Sequence, residues 1–187
     1  MRDRAVFLDR DGVINQYTSN YVRVPADFTF YPEAEAAFSV LGALGAPIVI
    51  VTNQSGIGRG YTTRGIVDEI HAAMIESAAQ WGATITSVEV CPHTPTDHCD
   101  CRKPKDGLFR RAEQEHDLQL EGSFLVGDSP SDIEGARRLG IRPVRVRTGR
   151  GEEPLPEGVT AATVVDGFLP AAEWIATHWN LEGPRGA

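Results

Sequence analysis

The chain has 187 residues, of which 41% are hydrophobic and 24% charged, enough apolar material for a globular core. Its formal net charge of −8 at pH 7 argues against nucleic acid or an anionic membrane as a partner. No run approaches about 18 apolar residues, which excludes a transmembrane helix, and the charged start MRDRAVFLDRDG is unlike a signal peptide, so we expect a cytoplasmic protein.

Short apolar runs alternate with amphipathic stretches along the chain. The apolar runs, rich in Val and Ile, predict six strands: Ala5–Leu8, Ile48–Val51, Ile85–Val90, Phe124–Val126, Val144–Val146 and Ala162–Val165. The amphipathic stretches predict five helices: Pro32–Leu44, Thr63–Trp81, Asp106–His116, Ser131–Leu139 and Phe168–His178. This alternation predicts an α/β fold with a doubly wound parallel sheet. We expect one domain over residues 1–179 and a frayed tail at 180–187.

The first predicted strand is followed by two aspartates, Asp9 and Asp11, and by Gly12. Asp and Gly after a strand are ordinary turn residues, because Asp bonds to its own backbone and Gly accepts positive φ. Two close carboxylates also repel each other, and a divalent cation such as Mg²⁺ relieves that repulsion through oxygen ligands. The motif by itself leaves both interpretations open.

Two further predicted strands also end in polar residues. TNQSG follows the strand Ile48–Val51, and GDSPSD follows the strand Phe124–Val126. In a parallel α/β sheet, ligands bind beyond the carboxyl ends of the strands, near the point where the strand order reverses. We therefore expect these segments to meet Asp9 and Asp11 at one edge of the sheet.

The stretch CPHTPTDHCDC contains all three cysteines of the chain. Cys91-x-His93 and Cys99-x-Cys101 offer three thiolates and one imidazole, which matches the four ligands of a tetrahedral Zn²⁺. Three clustered cysteines in a reducing compartment favour metal over disulfides. Because the protein would fill every ligand position, this zinc would be structural. His98 is an alternative ligand, and a reduced, metal-free loop is the alternative interpretation.

These segments, in this order, resemble the motifs of the haloacid-dehalogenase superfamily of phosphotransferases. The matches span roughly residues 5 to 148 and are DRDG at 9–12, Thr52 in TNQSG, Lys103 in CRKPK, and GDSPSD at 127–132. The resemblance implies a Rossmann-like sheet of the haloacid-dehalogenase type. Only 40 residues separate Asp11 from Thr52, which leaves no room there for a large cap domain beside a helix and a strand.

The resemblance also implies a role for each matched residue. Asp9 would be the nucleophile that forms an aspartyl-phosphate, and Asp11 would act as general acid and then as general base. Asp9, the backbone carbonyl of Asp11 and Asp128 would hold Mg²⁺. Thr52 and nearby N–H groups would bind the phosphoryl oxygens, while Lys103 would neutralise them and position Asp9.

Each matched residue has an ordinary interpretation when taken alone. Asp132 would support the metal site from outside its ligand shell, but it is equally an acid in the first turn of a helix. Thr52 alone is a strand-end residue, and Lys103 alone is a solvated charge. The joint arrangement favours the catalytic interpretation.

The zinc-type loop followed by RKP resembles the branch that contains heptose bisphosphate phosphatases and histidinol-phosphate phosphatases. TNQSGIGRG at 52–60, NYVRVPADFTFYPEA at 20–34 and VRTGRG at 146–151 resemble the heptose enzymes, whereas the short zinc loop resembles the histidinol enzymes. The expected reaction is hydrolysis of the 7-phosphate of D-glycero-D-manno-heptose 1,7-bisphosphate, for lipopolysaccharide or glycoprotein precursors. Histidinol phosphate is the alternative substrate.

A bisphosphate substrate needs a second anion site. Arg102, with its planar fork of donors, is the candidate for the distal phosphate. Asn53, Ser55 and Arg59 are candidates for the sugar or a phosphate, although Arg59 also fits a solvated loop charge. A rival function is a non-catalytic module that binds a phosphorylated ligand, which would have no use for Asp11. We expect a monomer.

Overall fold

The computed structural model describes residues 3–180; Met1, Arg2 and residues 181–187, which hold most of the predicted tail at 180–187, lie outside the described residues. Within 3–180, six strands form one parallel sheet: β1 (Asp3–Leu8), β2 (Ile48–Asn53), β3 (Ile85–Cys91), β4 (Leu118–Gly127), β5 (Arg142–Val146) and β6 (Thr163–Val165). Their order is β3-β2-β1-β4-β5-β6. The predicted doubly wound parallel sheet is confirmed.

In the described part of the chain, six helices accompany the sheet: α1 (Ala34–Gly42), α2 (Ser55–Gly58), α3 (Arg64–Gln80), α4 (Gly107–Glu115), α5 (Pro130–Arg138) and α6 (Phe168–His178). Five of them match the predicted helices within a few residues. The short helix α2 was not predicted, and two 3-10 turns, Pro25–Asp27 and Pro95–Asp97, lie in the loops.

Helices bury both faces of the sheet. Since successive side chains of a strand point in opposite directions, each strand contributes to both cores. In β1, Val6 and Leu8 face the core beneath α1, α3 and α6, whereas Ala5 and Phe7 face the core beneath α4 and α5. All four side chains are fully buried. This explains why β1 is continuously apolar from Ala5 to Leu8, directly before the site begins.

The strand order reverses between β1 and β4. β1 pairs with β2 on one side and with β4 on the other, and Leu8 is level with both Ile50 and Val126. The chain segments that follow β1, β2 and β4 therefore start side by side at one edge of the sheet. Between Asp11 and Thr52 the described chain contains loops, α1 and β2, and no inserted cap domain. No helix within residues 3–180 is long and apolar enough to cross a membrane.

Candidate active site

The residues predicted from three strand ends meet in one cavity of about 230 Å³ at the carboxyl edge of the sheet. The lining comes from these strand ends, the loop after β1, the segment before α4 and the loop after β5: Asp9, Asp11, Tyr17, Thr18, Ser19, Tyr21, Val22, Thr52, Asn53, Gln54, Ser55, Arg102, Lys103, Asp128, Ser129, Ser131 and Arg150. The structure thus brings together the predicted catalytic residues.

Lys103 is a buried residue of the cavity lining. Its Nζ lies 3.0 Å from Asp9 Oδ1 and 2.6 Å from Asp132 Oδ1, and it donates to the Val51 carbonyl at 2.6 Å. Burial opposes its charge, but the carboxylates of Asp132 and Asp9 raise the pKa of Lys103 above its usual value. Lys103 is therefore a fixed cation beside Asp9.

Asp132 is anchored from both sides. Its Oδ2 accepts from the Ser129 N–H at 3.0 Å and from the Ser129 hydroxyl at 2.6 Å, at the start of α5. Burial opposes ionisation, but the charge and hydrogen bond of Lys103 and the two Ser129 donors hold the pKa of Asp132 below its usual value. Asp132 therefore pairs with Lys103 and also accepts from Ser129 at the start of α5, and its predicted support of the metal site stays a prediction.

The carboxylates of Asp9, Asp128 and Asp132 offer oxygens that all lie within 4.8 Å of one another. Burial, reinforced by Asp132, raises the pKa of Asp9 to about 7, although Lys103 opposes the shift. Burial and the charge of Asp9 raise the pKa of Asp128 to about 8. One lysine does not balance three buried acids, and hard oxygen donors are the ligands that Mg²⁺ takes, so these residues fit a magnesium ion.

The loop after β5 completes this cluster. The Arg150 N–H donates to Asp128 Oδ2 at 2.8 Å, and the Thr148 hydroxyl donates to the Gly12 carbonyl at 2.6 Å. Gly12 has φ +89°, and a Cβ there would overlap the Asp128 carboxylate. Glycine at position 12 therefore meets both a backbone requirement and a close approach to a candidate metal ligand.

Asp11 lies in a different environment from Asp9. Arg10 Nη2 donates to both oxygens of Asp11 at 2.9 Å, Gln54 Nε2 donates to Oδ2 at 2.7 Å, and Asn15 Nδ2 donates to Oδ1 at 2.9 Å. Burial opposes ionisation, but the Arg10 guanidinium and these donors hold the pKa of Asp11 below its usual value. Two aspartates one residue apart are thus tuned in opposite directions.

Arg10 itself has no predicted role, yet it is among the largest fully buried side chains in residues 3–180. Its Nη1 lies 3.1 Å from His71 Nε2, and Nη2 also donates to Gln54 Oε1 at 3.1 Å. His71 belongs to the buried face of α3 with Ile70 and Met74. A histidine at an apolar position of the helix period was the available signal for this contact.

The four predicted zinc ligands also come together. The Sγ atoms of Cys91 and Cys99 are 3.7 Å apart and those of Cys99 and Cys101 are 3.5 Å apart, while His93 Nδ1 lies 3.2 Å from Cys101 Sγ and 3.7 Å from Cys91 Sγ. Tetrahedral coordination with Zn–S bonds of about 2.3 Å places sulfurs about 3.8 Å apart. This geometry fits zinc, and among the described residues His93, not His98, completes the group.

The predicted substrate-binding residues are placed differently from one another. Ser55 and Arg102 line the cavity, whereas Arg59 is exposed and lies outside the lining. Asn53 lines the cavity, but its amide clamps the Lys103 backbone: Oδ1 accepts from the Lys103 N–H at 3.1 Å and Nδ2 donates to the Lys103 carbonyl at 3.3 Å. Arg102 Nη1 donates to the His93 carbonyl at 3.3 Å, which links it to the zinc loop.

A parallel sheet of this order, with a lysine-paired aspartate at its switch point, defines a phosphotransferase of the haloacid-dehalogenase type. Residues 100–171 match the family model described as HAD-hydrolase-like. The chain is 38% identical over 168 residues, 90% of its length and 96% of the relative, to the D-glycero-beta-D-manno-heptose-1,7-bisphosphate 7-phosphatase of Pseudomonas putida. It is 40% identical to the enzyme of the same name from Pseudomonas aeruginosa, over 82% of this chain and 88% of that one.

A solved structure with a related name is similar to this chain over almost its full length. The D,D-heptose 1,7-bisphosphate phosphatase from B. bronchiseptica, complexed with magnesium and phosphate, aligns with a TM-score of 0.85 and 34% identity over 94% of this chain and 99% of that one. The chain belongs to the family of heptose-1,7-bisphosphate 7-phosphatases within the haloacid-dehalogenase-like hydrolases.

Proposed function

We propose that this protein is a Mg²⁺-dependent phosphatase that removes the 7-phosphate of D-glycero-D-manno-heptose 1,7-bisphosphate. One observation carries the reaction class: Asp9 and Asp11 project into one cavity with opposite environments, Asp9 beside Lys103 and Asp11 among the donors of Arg10, Gln54 and Asn15. Groups whose surroundings separate their proton affinities are typical of a nucleophile paired with an acid/base. The names of the relatives support the substrate.

Asp9 is the nucleophile of this mechanism. An oxygen of its carboxylate bonds to phosphorus as the bond from phosphorus to the sugar oxygen breaks, which yields an aspartyl-phosphate. Lys103 keeps that carboxylate in place and offsets the phosphate charge. Thr52, at the end of β2, lines the same cavity. Mg²⁺, held by Asp9, the Asp11 carbonyl and Asp128, supplies further charge neutralisation when bound.

Asp11 handles the protons. It protonates the departing sugar oxygen and then takes a proton from the water that attacks the aspartyl-phosphate, which releases phosphate and restores Asp9. Its low pKa keeps the carboxylate ionised, which is the form that accepts a proton in the second step. A phosphate dianion in the cavity raises the proton affinity of the same carboxyl, because like charges disfavour ionisation, and this supports the first step.

Two residues are proposed to hold the rest of the substrate. Arg102 lines the cavity and presents a planar fork that suits the distal phosphate. Ser55 offers a hydroxyl at the start of α2 for the sugar or a phosphate. Asn53 acts through Lys103, since both ends of its amide are taken by that backbone. The exposed side chain of Arg59 is a solvated charge in this proposal.

The proposed zinc is a structural ion. All four ligand positions are filled by Cys91, His93, Cys99 and Cys101, so no position is left for water. The loop leads directly into Arg102 and Lys103, so zinc would also fix two site residues. Clustered cysteines that hold a metal rather than form disulfides are typical of a reducing compartment, which supports a cytoplasmic location. We also propose that the protein is a monomer and that it has no nucleic-acid or membrane partner.

The test compares kcat/KM with Mg²⁺ for both anomers of the heptose bisphosphate and for histidinol phosphate. A preference of about 10²-fold for one heptose anomer, roughly 2.7 kcal/mol of transition-state binding, is expected. A preference for histidinol phosphate would overturn the substrate while leaving the chemistry intact. Asp9→Asn should abolish turnover and keep the fold; normal turnover would overturn the mechanism, and no turnover by the unmodified chain would favour a binding module.

A further inference from the structure

The buried guanidinium of Arg10 connects Asp11, Gln54 and His71. Arg10 Nη2 serves both oxygens of Asp11 and Gln54 Oε1, while Nη1 has His71 Nε2 as its partner at 3.1 Å. Arg10, Gln54 and His71 are 0%, 6% and 4% exposed. The proposed mechanism assigns no chemical step to these three side chains, although Arg10 and Gln54 both donate to Asp11, the residue that moves protons.

The protonation of His71 follows from its partner. A guanidinium has only donors, so His71 Nε2 must accept, and the imidazole is neutral with its proton on Nδ1. Burial and the adjacent charge of Arg10 lower the pKa of His71 to about 4, which agrees with the neutral form. His71 is therefore a fixed acceptor carried by α3, a helix of 17 residues.

The two ends of the Arg10 fork are tied to different elements. Nη1 is tied to His71 on α3, and Nη2 faces Asp11 after β1. A planar guanidinium with one end fixed cannot turn without moving the other, so the acceptor on α3 sets the direction in which Nη2 meets the Asp11 carboxylate. Gln54 reinforces this direction, because it accepts from Arg10 and donates to both Asp11 and Thr52.

We propose that His71, acting through Arg10, is the positioning residue for the Asp11 acid/base. Asp11 touches the reacting atoms, and His71 does not. This inference rests on the proposed role of Asp11 but not on which sugar phosphate is the substrate. Misplacement of a reacting group by about 1 Å can cost about 10²-fold, so the loss of the acceptor on α3 is expected to weaken proton transfer in particular.

The experiment uses two aryl phosphates of similar shape, phenyl phosphate and p-nitrophenyl phosphate, with the full chain and Mg²⁺. The phenol of p-nitrophenyl phosphate is the more acidic and leaves as an anion with little help, whereas phenyl phosphate needs a proton from Asp11. In His71→Leu, kcat/KM for phenyl phosphate should fall about 10-fold more than kcat/KM for p-nitrophenyl phosphate. His71→Gln, whose Oε1 takes the place of Nε2, should stay within about 3-fold of the unmodified protein for both.

Two further variants calibrate the result. Asp11→Asn should show the same selective loss in larger form, and His116→Gln, a matched change at the end of α4 away from the cavity, should leave both values unchanged. An equal loss for both substrates in a folded His71→Leu, or no loss, overturns the positioning role. If Asp11→Asn shows no selective loss, the acid role in the proposed function fails instead.

Arg10→Lys keeps the inference testable if His71→Leu does not fold. One ammonium keeps the buried charge but cannot present the fixed fork that joins His71 to Asp11. A folded Arg10→Lys should therefore lose activity selectively on phenyl phosphate. Unaltered leaving-group dependence in that variant would refute the chain of contacts.

Discussion

His71 makes a prediction about stability that is separate from its proposed role in catalysis. Burial, helped by the charge of Arg10, lowers its pKa from 6.5 to about 4 in the folded protein. Asp11 and Asp68 also act on it and oppose part of this shift. In the unfolded chain the imidazole is solvated and keeps its ordinary pKa. Between these two values the unfolded state binds more protons than the folded state, so stability falls as the pH falls.

The magnitude follows from the two pKa values. Integrated over the full shift, protonation of the unfolded chain costs the folded state about 3 kcal/mol once the pH is below both values. Between about pH 7 and about pH 5 the expected loss from this one group is roughly 2 kcal/mol. His71→Gln keeps an acceptor for Arg10 and does not titrate, so it should lack this loss.

The assay is urea unfolding followed by tryptophan fluorescence, at steps from about pH 7 to about pH 5. The difference in unfolding free energy between the unmodified protein and His71→Gln isolates His71, because Asp9, Asp128 and the zinc ligands titrate in both. The Gln variant should gain roughly 2 kcal/mol relative to the unmodified protein at the acidic end. Parallel stability curves would show that His71 is not held neutral, and the physical argument would be wrong.

Three other changes follow from the site. Cys99→Ser combined with Cys101→Ser should lose bound zinc by metal analysis and lower both Tm and kcat, and unchanged zinc content would refute the zinc site. Arg102→Ala should raise KM for the bisphosphate about 10-fold and leave KM for a simple aryl phosphate unchanged. An unchanged KM for the bisphosphate would refute the role of Arg102 in binding the distal phosphate. Gly12→Ala should destabilise the fold by about 1–3 kcal/mol and weaken the activation of the enzyme by Mg²⁺, because the added Cβ would press on Asp128 at a residue with positive φ. A melting curve checks the stability and a titration of activity with Mg²⁺ checks the activation. Unmodified behaviour in both assays would contradict the close approach of Gly12 to Asp128.

The prediction of strands and helices from the sequence was correct where the local residue pattern and the tertiary context favour the same structure. β1, β2 and β4 each contain a continuously apolar run, and β3, β5 and β6 are rich in Val or Ile, so all six strands were visible in the sequence. β4 was predicted only over Phe124–Val126, yet it runs from Leu118 to Gly127. Its first half contains Gln, Glu and Gly, and it is a strand because it pairs with β1, with a register shift between Arg4 and Val6. Only the partner strand could supply that information.

The helix α2 shows the same limit. Two of its four residues are glycine, so intrinsic propensity argues against a helix. Its surroundings hold it: the Gln54 N–H donates to the Cys91 carbonyl at 2.7 Å, and the Gly58 N–H donates to the Pro92 carbonyl at 2.9 Å. These bonds attach α2 to the start of the zinc loop, a neighbour that is remote in sequence.

The sequence by itself, through its strand-end pattern and its resemblance to a family, predicted the candidate reacting groups and their order along the chain. Asp9, Asp11 and Asp128 follow apolar strands, and parallel strands end at a common edge, so their meeting could be derived from pattern alone. The paired spacings Cys91-x-His93 and Cys99-x-Cys101 likewise predicted a tetrahedral metal site from the sequence.

Only the tertiary structure decided how each group is held. Arg10 and His71 are 61 residues apart, and the helical period shows that position 71 lies on a buried face without showing what it meets there. The sequence could not show that the amide of Asn53, a predicted substrate-binding residue, also makes two hydrogen bonds with the backbone of Lys103 across 50 residues. Such contacts depend on how elements pack against one another, and each polar group buried by that packing must find its partner among whatever side chains the fold brings near.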